Sequence, residues 1–171
     1  MTLPNLITVI RILLVPIIIY LLFNDFNLAR IVFLICMFTD VLDGFIARVF
    51  KIKTKLGAVL DPFADKILIL SSYIILTHLK KIPEWLFLIV LGRDILIISG
   101  WFIIYILTGL KDVKVRFLGK LSVGSQMLLI LFVFFNISFL NIMFYITAGI
   151  TLISLIDYFC KNFKKLEFTK T

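Results

Sequence analysis

The sequence predicts an all-α, polytopic membrane protein with six transmembrane helices. Three observations predict it. Hydrophobic residues make up 62% of the 171, and charged residues 16%. The mean hydropathy is +1.15, more apolar surface than a soluble domain of this length can bury. The apolar residues also fall in runs near the roughly 20 residues that a helix needs to cross a ~30 Å hydrocarbon core. The chain reads as a single domain, 1–171, with no low-complexity tract, long linker or evident internal repeat.

The elements follow in order. The first run, about 4–23, lacks a basic leader and a small-residue cleavage site and carries Arg11 inside it, so it reads as a retained span. The NDFN turn at 24–27 leads to a second run, about 29–50, and KIKTK at 51–55 to a third, about 58–78. HLKKIP at 78–83 precedes the fourth, about 84–107, and GLKDVKVR at 109–116 the fifth, about 118–135. A short break near Asn136 separates the fifth from the sixth, about 138–159.

Basic residues orient these spans. Arg48, Lys51, Lys53 and Lys55 lie at the second connection, Lys111, Lys114, Arg116 and Lys120 at the fourth, and Lys161, Lys164, Lys165 and Lys170 in the tail. The opposite side carries Arg30, Lys80 and Lys81. This asymmetry puts both termini in the cytoplasm. The formal charge is +8. Because it concentrates in connections, the expected partner is the anionic surface of a lipid bilayer, with no nucleic acid. Cys36 and Cys160 read as free thiols.

Six acids lie within or at the edge of spans: Asp40, Asp43, Asp61, Asp65, Asp94 and Asp157. An ionised side chain there is expensive unless it meets a partner or a cavity. At about 100° per residue, Asp40, Asp43 and Ala47 share one stripe of their helix, flanked by Gly44 and Arg48. Gly57, Asp61 and Asp65 share a stripe of the next helix at four-residue steps. The short basic connection makes these helices antiparallel neighbours, so the acid pairs belong to one end of the bilayer and open to the cytoplasm. Four converging carboxylates call for hard divalent cations, and two such ions can clamp a phosphoryl group undergoing displacement. Gly44 and Ala47 leave room for a flat group, Gly57 permits close approach, and Arg48 suits phosphate oxygens. Pro62 either sits in the first turn of its helix, where its missing N–H costs nothing, or, if the helix begins near Gly57, kinks it.

The full pattern is Asp40-x2-Asp43-Gly44-x2-Ala47-Arg48-x8-Gly57-x3-Asp61-x3-Asp65. It resembles the signature of the CDP-alcohol phosphatidyltransferases, also called CDP-alcohol phosphotransferases, with no departure. The likeness extends to the opening LPNLITVIR at 3–11, to DPFADK at 61–66, and to Gly119-Lys120 with Gln126. These look like the bacterial phosphatidylglycerophosphate synthases and the cardiolipin synthases of that family. The resemblance implies six spans in the cell (inner) membrane, a cytoplasmic site, a homodimer, and Mg2+ or Mn2+ as cofactor. It implies that Asp40, Asp43, Asp61 and Asp65 hold the metals and that Gly44, Ala47, Arg48 and Gly57 meet a CDP-lipid. Asp65 resembles the family's general base. The implied reaction transfers a phosphatidyl group from CDP-diacylglycerol to glycerol 3-phosphate, giving phosphatidylglycerophosphate and CMP.

The acceptor is read from other residues. Glycerol 3-phosphate and phosphatidylglycerol both carry a phosphate, so a cationic pocket is expected, with Arg11, Arg93, Arg116 and Lys120 as candidates. Arg11 shares a face with Asn5 and Thr8, at a depth close to that of the acids, although an arginine near a helix end can also snorkel. Arg93 and Asp94 are adjacent and are not expected to face each other, so each should need its own partner. Lys120 precedes Ser122, Ser125 and Gln126, expected to form one polar face. Phosphatidylglycerophosphate synthases usually have Ala-Arg-Glu where this chain has Gly92-Arg93-Asp94, and cardiolipin synthases more often have Arg-Asp. Phosphatidylglycerol as acceptor, giving cardiolipin, is therefore the alternative.

His78 and Trp85 read as interfacial residues. Gly100, Gly109, Gly124 and Gly149 are candidates for close helix contacts. A divalent-cation transporter or channel is the rival class, since intramembrane acids also mark ion paths. It calls for acids spread through the membrane, whereas these crowd at one depth.

Overall fold

The structure, a computed structural model, describes the backbone of residues 3–49, 57–108 and 117–168 and, within these, the side chains of 9–39, 63–103, 106 and 117–160. The described residues form six helices and no strand: α1 (Leu3–Asn24), α2 (Phe26–Val49), α3 (Gly57–His78), α4 (Glu84–Thr108), α5 (Phe117–Phe134) and α6 (Leu140–Phe168). The all-α class is borne out. Three stretches are long and apolar enough to cross a membrane, Glu84–Ile103, Phe117–Phe134 and Leu140–Cys160. The described apolar parts of α1 and α2, Val9–Asn24 and Phe26–Thr39, are shorter. Such helices mark an integral membrane protein.

The chain divides into two compact units, residues 1–81 and 82–171. In the first, α1 packs against both α2 and α3. The link from α1 to α2 is tighter than a four-residue turn, since Asp25 alone separates them. Its N–H still donates to Leu21 O at 2.7 Å, closing α1. Its Oδ1 accepts from the N–H groups of Asn27 and Leu28, both at 3.0 Å, which caps α2. The buried stripe of α1 is Arg11, Val15, Ile18 and Leu22, and the buried residues of the two helices packed on α1 include Ala29, Phe33 and Cys36 of α2 and Ala64, Leu68 and Ser72 of α3. Two contacts fix the α1–α3 register: Arg11 with Asp65, and Phe23 edge-on to His78 with centroids 6.2 Å apart. Contacts in this order make the two helices parallel. α3 begins at Gly57, so Pro62 lies beyond its first turn.

In the second unit, α6 packs against α4 and α5. Trp85 stacks on Tyr145 at 5.3 Å, Arg93 meets Ser154, and the Tyr158 hydroxyl donates to Ile97 O at 3.2 Å. The order makes α4 and α6 parallel. Ser122 with Thr151 and Phe132 with Phe139 make α5 and α6 antiparallel. Gly100 is a true close approach, because a Cβ there would lie 3.1 Å from Tyr158 Cε1. Gly124 and Gly149 are not, since a Cβ at either would meet nothing within 4 Å. Gly109 lies outside the described residues. α6 runs past the expected end near 159 to Phe168, because bilayer thickness limits the apolar run and not the helix.

Two helices end in the same device. Lys80 has φ 56°, its N–H donates to Thr77 O, and the N–H of Lys81 donates to Leu76 O. Asn136 has φ 48°, with its N–H to Val133 O and that of Ile137 to Phe132 O. This is the left-handed cap that satisfies the last carbonyls of a helix, and glycine fills it most readily. Asparagine tolerates the conformation, whereas lysine is strained there. Lys80→Gly is expected to stabilise the purified protein by about 0.5–1 kcal/mol, raising the thermal midpoint. A lower midpoint would contradict the capping account.

Candidate active site

Each expected site residue has a definite status. Asp40, Asp43, Gly44, Ala47 and Arg48 are carried by the backbone of α2, and Gly57, Asp61 and Asp65 by that of α3. Among these eight, the described side chain is that of Asp65. Those of Asn5, Thr8, Asp40, Asp43, Ala47, Arg48 and Asp61, and the surroundings of Gly44 and Gly57, lie outside the described side chains, and Arg116 lies outside the described residues altogether. One helix carries Gly57, Asp61 and Asp65 without interruption, so their spacing puts their Cα positions on one stripe.

The structure brings Arg11 to Asp65. The guanidinium Nη1 donates to Asp65 Oδ1 at 2.7 Å. Arg11 is 1% exposed, while the Asp65 side chain is 20% exposed. Arg11 does not snorkel, because it occupies the inner stripe of α1 one turn before Val15 and is turned into the helix packing. A buried guanidinium needs a counter-charge, and the parallel register of α1 and α3 supplies one. Depth alone, read from the sequence, indicated that Arg11 and the acids were level. It gave no reason to choose Asp65 among them.

The family resemblance implies divalent metal, and the donor chemistry fits. Carboxylates are the hard oxygen ligands that Mg2+ and Mn2+ take. Asp65 keeps part of its side chain open beside Arg11. No group of three or more potential ligands occurs among the described residues, since the other three acids fall outside them.

Arg93 and Asp94 correct an expectation. Arg93 Nη1 donates to Asp94 Oδ1 at 2.9 Å, and its Nη2 to Ser154 Oγ at 3.0 Å. Neighbouring Cβ atoms on a helix do diverge, but the long arginine stem curls back far enough to reach the next carboxylate. A Cβ at Gly119 would lie 3.6 Å from Arg93 Nη2, an ordinary contact, so the guanidinium sits beside the start of α5. Both charged residues are buried.

The expected polar face of α5 also divides. Ser122 and Gln126 are buried, whereas Lys120 is exposed and Ser125 half-buried. Ser122 lies 200° and Gln126 240° from Lys120 at about 100° per residue, so they face α6 and Lys120 faces away. Ser122 Oγ donates to Thr151 Oγ1 at 3.3 Å, and Gln126 Nε2 to Ser122 Oγ at 3.4 Å. The α6 partners, Thr147, Thr151 and Ser154, escaped the sequence reading. Their three- and four-residue spacing on one stripe was the available signal.

Comparison with known proteins places these features in a family. The family model for CDP-alcohol phosphatidyltransferase matches residues 1–154. The rat cardiolipin synthase (CMP-forming) is 33% identical over 99% of this chain and 64% of its own length. The human one is 32% identical with the same coverage, so this chain spans 64% of the length of these mammalian relatives. The CDP-diacylglycerol–glycerol-3-phosphate 3-phosphatidyltransferase of Bacillus subtilis is 28% identical over 96% of this chain and 97% of its own length. That of Aquifex aeolicus is 33% identical over 97% of this chain and 98% of its own. With the family model matched across both helical units and a relative of similar length at 33% identity, the chain belongs to the CDP-alcohol phosphatidyltransferase family.

Proposed function

We propose that the chain is a phospholipid-synthesising enzyme that transfers a phosphatidyl group from CDP-diacylglycerol to glycerol 3-phosphate. The observation that carries the donor chemistry is the unbroken set Asp40, Asp43, Gly44, Ala47, Arg48, Gly57, Asp61 and Asp65. Two relatives named for the glycerol 3-phosphate reaction and matched along nearly their whole length support the acceptor. The protein acts as a homodimer of six-span subunits in the cell (inner) membrane, with both termini and the site at the cytoplasmic face.

In this reading the cytidine lies against Gly44 and Ala47, and Arg48 contacts the nucleotide phosphates. Asp40, Asp43, Asp61 and Asp65 would hold the Mg2+ or Mn2+ ions, two by the number of acids, and the metal charge would offset that of the diphosphate and of the departing CMP. Asp65 takes the proton of the acceptor hydroxyl. The oxygen forms a bond to the β-phosphorus, the bond from that phosphorus to the bridging oxygen breaks, and CMP leaves with the electron pair. Arg11 is the proposed acceptor-phosphate residue, because it is a buried guanidinium already at Asp65. Arg93 is engaged with Asp94 and Ser154.

Phosphatidylglycerol is the second acceptor reading, favoured by Gly92-Arg93-Asp94 and by the mammalian cardiolipin synthases. The purified protein, given CDP-diacylglycerol with each acceptor in turn, is expected to form phosphatidylglycerophosphate from glycerol 3-phosphate. Formation of cardiolipin alone would replace the first reading by the second. Arg11→Lys keeps the charge and loses the planar fork. It is expected to raise the acceptor KM about tenfold and the CDP-diacylglycerol KM far less. The reverse split would remove Arg11 from the acceptor.

A further inference from the structure

Two demands meet on the small carboxylate of Asp65. Its Oδ1 accepts from Arg11 Nη1 at 2.7 Å, and in the proposed reaction the same carboxylate would hold a divalent ion. Such an ion sits about 2.1 Å from its oxygen ligands, so metal and guanidinium would crowd one carboxylate and repel each other. Arg11 is 1% exposed, and a buried charge is poorly screened by water and salt. The helix that carries Arg11 is able to yield at this end. Pro16 lies inside α1 and has no N–H for the Ile12 carbonyl, so one rung of the helix is missing between Arg11 and Phe23. A helix bends most easily at such a point. Beyond it, Phe23 holds the far end of α1 against His78, with ring centroids 6.2 Å apart. The Arg11 end can therefore shift against α3 while the Phe23 end stays in place.

We infer that Arg11 is an internal cation for Asp65 in the metal-free chain and competes with divalent metal for that carboxylate. A charge buried beside a carboxylate keeps its partner until another cation takes it. Arg11 thereby sets how tightly Asp65 holds metal. Once displaced, its fork is presented to the next anion, the acceptor phosphate. Metal and acceptor phosphate then bind cooperatively, each tightening the other by the same factor. The inference rests on the proposed roles of Asp65 as a metal ligand and of Arg11 as the acceptor-phosphate residue.

The test is Mn2+ binding to the purified full chain without CDP-diacylglycerol, read from the electron paramagnetic resonance signal of free Mn2+. Arg11→Gln is expected to bind Mn2+ about tenfold more tightly than wild type, the lower end of what groups beside a metal ligand exert. Arg11→Lys keeps the charge and should stay at the wild-type affinity. Equal or weaker binding by Arg11→Gln would overturn the competition, because a residue that only orients Asp65 costs affinity when it is removed. Glycerol 3-phosphate should tighten Mn2+ binding about fivefold in wild type and leave Arg11→Gln unchanged. The same tightening in both would overturn the exchange of partners. If Arg11→Gln gains affinity while glycerol 3-phosphate has no effect on wild type, the competition stands and Arg11 is removed from the acceptor. No Mn2+ binding by any of the three proteins removes the metal reading and the competition with it. If Arg11→Gln does not fold, the wild type carries the test through the arginine Nε–H resonance that Arg11→Lys lacks. Saturating Mg2+ is expected to move that resonance, and an unmoved one would overturn the competition.

Discussion

Charge placed inside apolar helices has to be met by charge, and the contact between Arg11 and Asp65 is where the first unit meets that demand. Removing one partner of a buried pair costs about 3–5 kcal/mol, because the other is left uncompensated. The 2.7 Å contact and the Phe23–His78 contact at the far ends of the same helices keep α1 and α3 in one parallel register. Asp65 is thereby held at a fixed depth on the stripe that also carries Asp61 and Gly57. The interaction that makes a buried arginine tolerable also positions a carboxylate of the signature.

The second unit meets the same demand with neutral partners added. Arg93 is held by Asp94 and by the Ser154 hydroxyl. Ser122, Thr151 and Gln126 continue a hydrogen-bonded seam between α5 and α6. The Thr151 hydroxyl also donates to Thr147 O at 2.7 Å, the local bond by which a hydroxyl is satisfied inside an apolar helix. The seam is not saturated, since Gln126 Oε1 and Arg93 Nε are buried without a hydrogen-bond partner among the described residues. Gly100 lets α4 approach Tyr158 of α6 closely, and the Tyr158 hydroxyl reaches the Ile97 carbonyl there. Parallel α4 and α6 are tied by polar contacts as well as by apolar packing.

Much of this was legible in the sequence because hydrophobic length and local spacing are one-dimensional. The helices lie where the apolar runs lie, and the strict four-residue steps of Gly57, Asp61 and Asp65 follow from a helix beginning at Gly57. What was not legible depends on reach and on neighbours. A spacing rule for Cβ directions misjudged Arg93 and Asp94 because it ignored the length of the arginine stem. The polar residues 120–126 look like one group in sequence, yet the turn angle sends Ser122 and Gln126 to α6 and Lys120 outward. Asp65 was recognisable as a signature acid, but its pairing with Arg11 depends on the register between helices that 54 residues separate in sequence.

The central claim is that the acids of α2 and α3 serve phosphatidyl transfer rather than structure or ion passage. CMP release from CDP-diacylglycerol in the presence of an acceptor tests it most directly, measured for the purified chain with Mg2+ and again after chelation. The account predicts release with Mg2+ and its loss with the chelator. Undiminished release after chelation, or none with Mg2+ from a folded protein, would contradict it.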